Sequence, residues 1–181
     1  LLVDCSGSMG GDSIASARVA LHGALVGLTE HDQVSVSRFG STVEHVLAPS
    51  ASTPQTLRRL KSAVDAIDAT LGGTEMEAAL RAVFGLPVHR DCAGADVLLL
   101  TDGEIWQAEE MTAAARASGH RVFAIGVGSS PAEGVLRALA EATGGACEFA
   151  TPGEALEAAA GRMIVRIRQQ PWRDARIDWG C

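Results

Sequence analysis

Short apolar runs alternate along this chain with stretches in which apolar residues recur every three or four positions. Runs of the first kind read as buried strands and stretches of the second as amphipathic helices. Their alternation from end to end predicts a largely parallel sheet with helices on both faces. Residues 1–4 read as the end of a first strand, and residues 13–28 as a helix with Ile14, Ala17, Leu21 and Leu25 on one face. Residues 33–39 and 42–48 are strand-like and separated only by Gly40-Ser41, so they form a hairpin whose second strand runs antiparallel. Ser52-Thr53-Pro54-Gln55 predicts a helix start, with Pro in the first turn and Gln placed to complete a capping box, and this helix extends to about residue 69. A shorter helix is expected over residues 75–84. Residues 95–101 contain Val97-Leu98-Leu99-Leu100, an unalternating run expected of a central strand covered on both faces.

Residues 107–118 read as helix, and residues 121–127 and 146–149 as strands. Two further capping patterns, Ser130-Pro131-Ala132-Glu133 and Thr151-Pro152-Gly153-Glu154, open helices ending near residues 143 and 167. The expected fold is therefore α/β: a doubly wound, mostly parallel six-stranded sheet with one antiparallel edge strand and helices on both faces.

At 181 residues the chain is one domain of ordinary size, able to bury about 70% of its unfolded surface without disulfide staples. Its 47% hydrophobic and 20% charged residues exclude a disordered or collagenous chain. A net charge of -7, from 15 basic and 22 acidic residues, argues against a nucleic-acid partner or direct contact with an anionic membrane and suits a cation instead. No apolar run is long enough to span a bilayer, and no signal-peptide layout is present.

The four cysteines, Cys5, Cys92, Cys147 and Cys181, form no Cys-x-x-Cys or zinc-finger spacing, which favours a reducing, cytoplasmic setting. The chain starts at Leu1, inside a strand and without an initiator Met, and so reads as part of a longer polypeptide whose localisation its ends do not decide. Residues 1–167 make up the predicted domain. Residues 168–181 read as a linker and the first strand of a following domain, because Pro171 to Gly180 alternates like a strand; an added edge strand is the equal alternative.

The candidate chemistry sits in three turns. Asp4-Cys5-Ser6-Gly7-Ser8-Met9-Gly10-Gly11 follows the first strand, Gly72-Gly73-Thr74-Glu75 precedes a helix, and Leu100-Thr101-Asp102-Gly103-Glu104 ends the most buried strand. In an open parallel sheet, loops at the carboxyl ends of adjacent strands meet at the topological switch point, where ligands bind. Two carboxylates brought together there repel unless something positive lies between them, and none of the three turns contains Lys or Arg. A divalent cation solves the problem. Carboxylate and hydroxyl oxygens are hard ligands, favouring Mg²⁺, with Mn²⁺ or Ca²⁺ as alternatives. Octahedral Mg²⁺ would keep a position open to water or to an incoming carboxylate.

Plainer roles compete for the same residues. Asp4, Ser6 and Ser8 are also good turn and cap formers, Thr74 heads a Thr74-Glu75-Met76-Glu77 capping box, and Asp102 suits a simple turn. Beside them, Glu104 is a candidate for tuning the metal from outside its ligand shell and Trp106 a candidate partner contact. The five histidines are scattered and form no metal spacing.

Taken together, Asp4-x-Ser6-x-Ser8, the Thr74 loop and Asp102 in Thr-Asp-Gly resemble the metal-ion-dependent adhesion site of von Willebrand factor A (vWA) domains. The resemblance runs from residue 1 to about residue 167. It implies a usually non-catalytic domain that binds protein partners through its metal, with Asp4, Ser6 and Ser8 as first-loop ligands, Thr74 as second-loop ligand, and Asp102 coordinating directly or through water. The phrases Asp4 to Met9, Phe39-Gly40-Ser41-Thr42, Gly73-Thr74-Glu75 and Leu100 to Glu104, with the tail ending Asp178-Trp179-Gly180, look most like the intracellular and bacterial vWA proteins that carry a neighbouring VIT domain.

The expected function is a metal-dependent protein-binding module in which Mg²⁺ accepts an Asp or Glu carboxylate from a protein partner. Enzyme readings fare worse. A phosphoryl transferase with Asp4 as nucleophile would want a second Asp two residues on and a nearby Lys, whereas position six is Ser and the only Lys is Lys61. A serine hydrolase using Ser8 would want Gly-x-Ser-x-Gly. A third alternative, the vWA subunit of a chelatase or ATPase assembly, finds no Walker motif here.

Overall fold

The computed structural model describes residues 1–89, 92, 94–103, 108–127, 132–150 and 156–169. Strands β1 (Leu2–Asp4), β2 (Gln33–Phe39), β3 (Val43–Ala51), β4 (Asp96–Thr101), β5 (Arg121–Val127) and β6 (Cys147–Ala150) form one sheet in the order β3-β2-β1-β4-β5-β6. Every neighbouring pair is parallel except the β2–β3 hairpin, which puts the one antiparallel strand at an edge, as the sequence predicts.

Helices α1 (Asp12–Val26), α2 (Pro54–Asp65) and α6 (Leu156–Arg168) cover one face, and α3 (Met76–Phe84), α4 (Ala108–Ser118) and α5 (Glu133–Thr143) cover the other. The strand pleat sends successive side chains to opposite faces. Leu98 and Leu100 thus join Val3, Leu21, Leu60 and Met163 on the first side, while Leu99 joins Leu2, Leu80, Met111 and Leu139 on the second. Burial on both faces is why Val97 to Leu100 shows no polar alternation.

Several local expectations are corrected. β3 continues through Pro49 to Ala51, which an edge strand tolerates because one side of it makes no ladder bonds. α2 is capped by Thr53, whose hydroxyl accepts from the Thr56 N–H at 3.1 Å, rather than by Ser52 with Gln55. Among the described residues the buried Ser52 hydroxyl has no partner. α2 also stops at Asp65, four residues early, so that Ile67 can turn into the core, where its carbonyl accepts from Arg18 Nε at 2.7 Å. The capping box that competes for Thr74 does not form either, since α3 begins after Glu75 with no side-chain cap. α5 starts after Ala132, likewise without a side-chain cap, and closes on Gly144 in the left-handed conformation at φ 74°. Ser130, Pro131, residues 151–155 and the tail from residue 170 lie outside the described residues. Among the described residues no helix is long and apolar enough to cross a membrane.

Candidate metal centre

β1 lies between β2 and β4, and from it the chain winds one way to β2 and β3 and the other way through β4 to β6. Its carboxyl end is the switch point, and Asp4 stands there. The register pairs Leu2 with Leu99 and Val3 with Leu100, so Asp4 comes level with Thr101. The Thr101 hydroxyl donates to Asp4 Oδ2 at 2.6 Å, and the Ser6 N–H donates to Asp4 Oδ1 at 2.9 Å. Ser6 Oγ lies 3.1 Å from Ser8 Oγ, and Ser8 Oγ donates to Asp102 Oδ1 at 2.9 Å. A continuous chain of polar contacts thus links Asp4, Ser6, Ser8 and Asp102 across the gap between two strand ends.

The second loop is laced to the first through its backbone. The Leu71 N–H donates to the Cys5 carbonyl at 2.9 Å and the Gly7 N–H to the Gly72 carbonyl at 2.7 Å. Ser41 Oγ accepts from the Gly73 N–H at 2.8 Å. Thr74 reaches the same cluster at Gly103: a methyl group built there would lie 2.9 Å from Thr74 Cγ2, 3.2 Å from Thr101 Oγ1 and 3.3 Å from Asp4 Oδ2. An alanine there would require the Thr74 side chain to shift. The structure therefore brings together Asp4, Ser6, Ser8 and Asp102, with the Thr74 side chain beside them through its methyl group. Glu104 and Trp106 lie outside the described residues.

The helix-cap role accounts poorly for this cluster, although Asp4 does make the turn contact to the Ser6 N–H. The cap of α1 is Gly11, with no side-chain bond, and Ser6 makes no side-chain cap to the short 3₁₀ turn Gly7–Met9. The hydroxyls of Ser6 and Ser8 face each other and Asp102 instead of helix N–H groups.

Electrostatics are unbalanced. Asp4 is fully buried, and among the described residues no Lys, Arg or His lies within ion-pair distance of it or of Asp102. Burial holds the Asp102 carboxyl above its ordinary value; the Ser8 hydrogen bond opposes this, and the charge of Asp4 adds to it. A buried carboxylate with a second acid nearby and no counter-charge fits a hard cation, and a donor set made only of oxygen suits Mg²⁺, Mn²⁺ or Ca²⁺.

Two contributors were not singled out from sequence. Thr101 is fully buried and orients Asp4, and Gly103 keeps the gap open. Their signal was present: a polar residue ends a run of four buried aliphatics and a glycine follows the acid.

The family model described as von Willebrand factor type A domain matches residues 1–149. A von Willebrand factor A domain-containing protein of Dictyostelium discoideum is 30% identical over 98% of this chain, which spans only 20% of that relative. Among solved structures, a von Willebrand factor type A protein from Catenulispora acidiphila superposes with a TM-score of 0.78 at 23% identity, over 92% of this chain and 41% of that one. Proximal thread matrix protein 1 from the mussel byssus, in a structure whose MIDAS motif is occupied by zinc, superposes with a TM-score of 0.66 at 17% identity, over 88% of this chain and 44% of that one. These structural likenesses speak to the fold. The family model covers most of the chain, all six strands but for one residue of the last lying within the match, and on that ground the chain belongs to the von Willebrand factor A family.

Proposed function

We propose that this domain is a non-catalytic, metal-dependent protein-binding module whose site is Asp4, Ser6, Ser8, Thr74 and Asp102. Domains of this family are in general adhesion or protein-interaction modules and mostly not enzymes. The observation that carries the metal reading is the fully buried Asp4 carboxylate, linked through Ser6 and Ser8 to Asp102 with, among the described residues, no basic group within ion-pair distance of either. A hard divalent cation, Mg²⁺ first and Mn²⁺ or Ca²⁺ as alternatives, would supply a positive centre able to accept an Asp or Glu carboxylate from a partner.

The protein's own contribution is positioning. Thr101 and the Ser6 N–H hold Asp4, Ser8 holds Asp102, and the Gly7–Gly72 and Leu71–Cys5 hydrogen bonds keep the Thr74 loop against the first turn. Neutral hydroxyls in place of further carboxylates would leave most of the cation's charge for a partner. We also read the chain as the type of domain found beside a VIT domain, in a longer polypeptide of which residues 168–181 lead into the next domain. The small share of its relative that it spans supports a longer protein.

Isothermal titration calorimetry with MgCl₂ and MnCl₂ on the wild type and Asp4→Ala, with circular dichroism to verify folding, tests the metal. Capture of a carboxylate-bearing partner should then require the metal and vanish with a chelator. Equal heats from the wild type and Asp4→Ala, or capture that survives chelation, would refute the reading.

A further inference from the structure

α2, like α6, is a net-basic helix in an acidic chain. It carries Arg58, Arg59 and Lys61 against the single acid Asp65, while the whole chain has a net charge of -7. All three cations are exposed. Eight arginines elsewhere (18, 38, 81, 121, 137, 162, 166 and 168) sit against carboxylates, yet among the described residues no carboxylate lies within ion-pair distance of Arg58, Arg59 or Lys61.

Next to this ridge runs the open edge of the sheet. Between the pairs Val36–Leu47 and Ser37–His45, strand β3 has one residue more than β2, and the extra residue is Val46. Such a bulge breaks the alternation of faces. Val46 and Leu47 consequently both line a groove of about 440 Å³, with Arg58, Arg59 and Ala63 of α2 on its other wall. Val46 remains 38% exposed there.

We infer that the groove between α2 and β3 is a second binding surface, for an acidic peptide segment that places one apolar side chain against Val46, Leu47 and Ala63 and its carboxylates on Arg58 and Arg59. Two features select this occupant. The apolar floor is too small for a folded hydrophobic interface, whereas unpaired guanidinium groups beside it match neighbouring carboxylates. Nucleic acid or an anionic membrane would need a broad basic field, and three cations on one helix within a net-negative chain do not provide one. Pro49 and the bulges of β3 disfavour a long added strand, so recognition falls to side chains rather than to a backbone ladder. The groove lies at the sheet edge, apart from the strand ends that hold Asp4 and Asp102, and needs no metal.

The test uses the ¹⁵N-labelled domain in EDTA with the synthetic peptide acetyl-Glu-Glu-Leu-Glu-Glu-amide, followed by amide chemical shifts. Shifts should concentrate at residues 46–47 and 58–63, weaken with added salt, and be lost when leucine is replaced by glycine. The exposed double substitution Arg58→Glu/Arg59→Glu, checked for folding by its own spectrum, should weaken binding about tenfold, since two charge pairs are lost and repulsion replaces them. The inference is overturned if no shifts occur, if they gather around Asp4 and Asp102, or if the charge-reversed variant binds as well. It is also overturned if phosphatidylserine vesicles or oligothymidylate bind as tightly, which would make the ridge a general polyanion surface. Because the metal is chelated throughout, failure here leaves the metal-site reading standing.

Discussion

Asp4→Asn separates a metal-binding carboxylate from one that merely completes a turn. The substitution is nearly isosteric. Asn keeps an oxygen to accept from the Ser6 N–H at Oδ1, and its amide can donate to Thr101 Oγ1, whose own hydrogen is free to rotate away. What changes is the charge. Without metal the wild type buries a carboxylate that keeps hydrogen bonds from Ser6 and Thr101 but has Asp102 nearby and, among the described residues, no cation beside it, and a buried charge without a counter-charge costs on the order of 1–3 kcal/mol or more. In EDTA, Asp4→Asn should therefore unfold at the same temperature as the wild type or at a higher one. With Mg²⁺ at about one hundred times its dissociation constant, binding to the native state alone adds about 2.7 kcal/mol to the wild type. At about 2–4 °C per kcal/mol for a domain of this size, that raises the midpoint by about 5–10 °C. The variant should show almost none of this rise. Scanning calorimetry of both proteins in EDTA and in MgCl₂ reads all four midpoints, and the order of the two proteins should invert. If the wild-type midpoint ignores Mg²⁺ and Asp4→Asn is destabilised equally in both buffers, the carboxylate is structural and the cation argument fails.

Gly103→Ala should lower Mg²⁺ affinity by about tenfold or more, measured by titration calorimetry, because the new methyl meets the side chains of Thr74, Thr101 and Asp4 at 2.9–3.3 Å and displaces the groups that line the site. Burial works to raise the Asp32 carboxyl, but hydrogen bonds from Arg168 and from the Thr29 N–H and hydroxyl outweigh it and hold the group below its ordinary value. A depressed folded-state value stabilises above the unfolded value and is lost as pH falls through the folded one. Asp32→Asn should therefore cost a little stability at neutral pH and flatten the decline below about pH 4, followed by urea unfolding across that range. Burial pushes the Cys5 thiol up to about 12, whereas Cys92 is exposed. A maleimide mapped by mass spectrometry should modify Cys92 in the native protein and reach Cys5 only on unfolding.

Much was legible in the sequence because it depends on short-range chemistry. The period of apolar residues set element type, the short polar gap after Phe39 marked the hairpin, although β3 starts at Val43 and not at the expected residue 42, and the four aliphatics before Thr101 marked a strand covered on both sides. The three oxygen-rich turns could be placed at one end of the sheet from the order of elements alone. Packing decided what local signals left in near balance. A side-chain cap is worth about 1 kcal/mol, whereas burying an isoleucine is worth about 1.5–3 kcal/mol. It is therefore physically consistent that α2 ends early to bury Ile67, and that Ser52 and Thr74 forgo their capping boxes where the chain path runs elsewhere.

Tertiary structure alone shows that Thr101 orients Asp4 and that Gly103 leaves room for Thr74, because both contacts join residues far apart in the chain. The same holds for the groove at Val46, since a bulge depends on how two strands pair and not on the composition of either. Residue types and their order thus determined which oxygens were available. The register of β1 against β4 decided which of them meet, because only paired strands fix two distant side chains at one level.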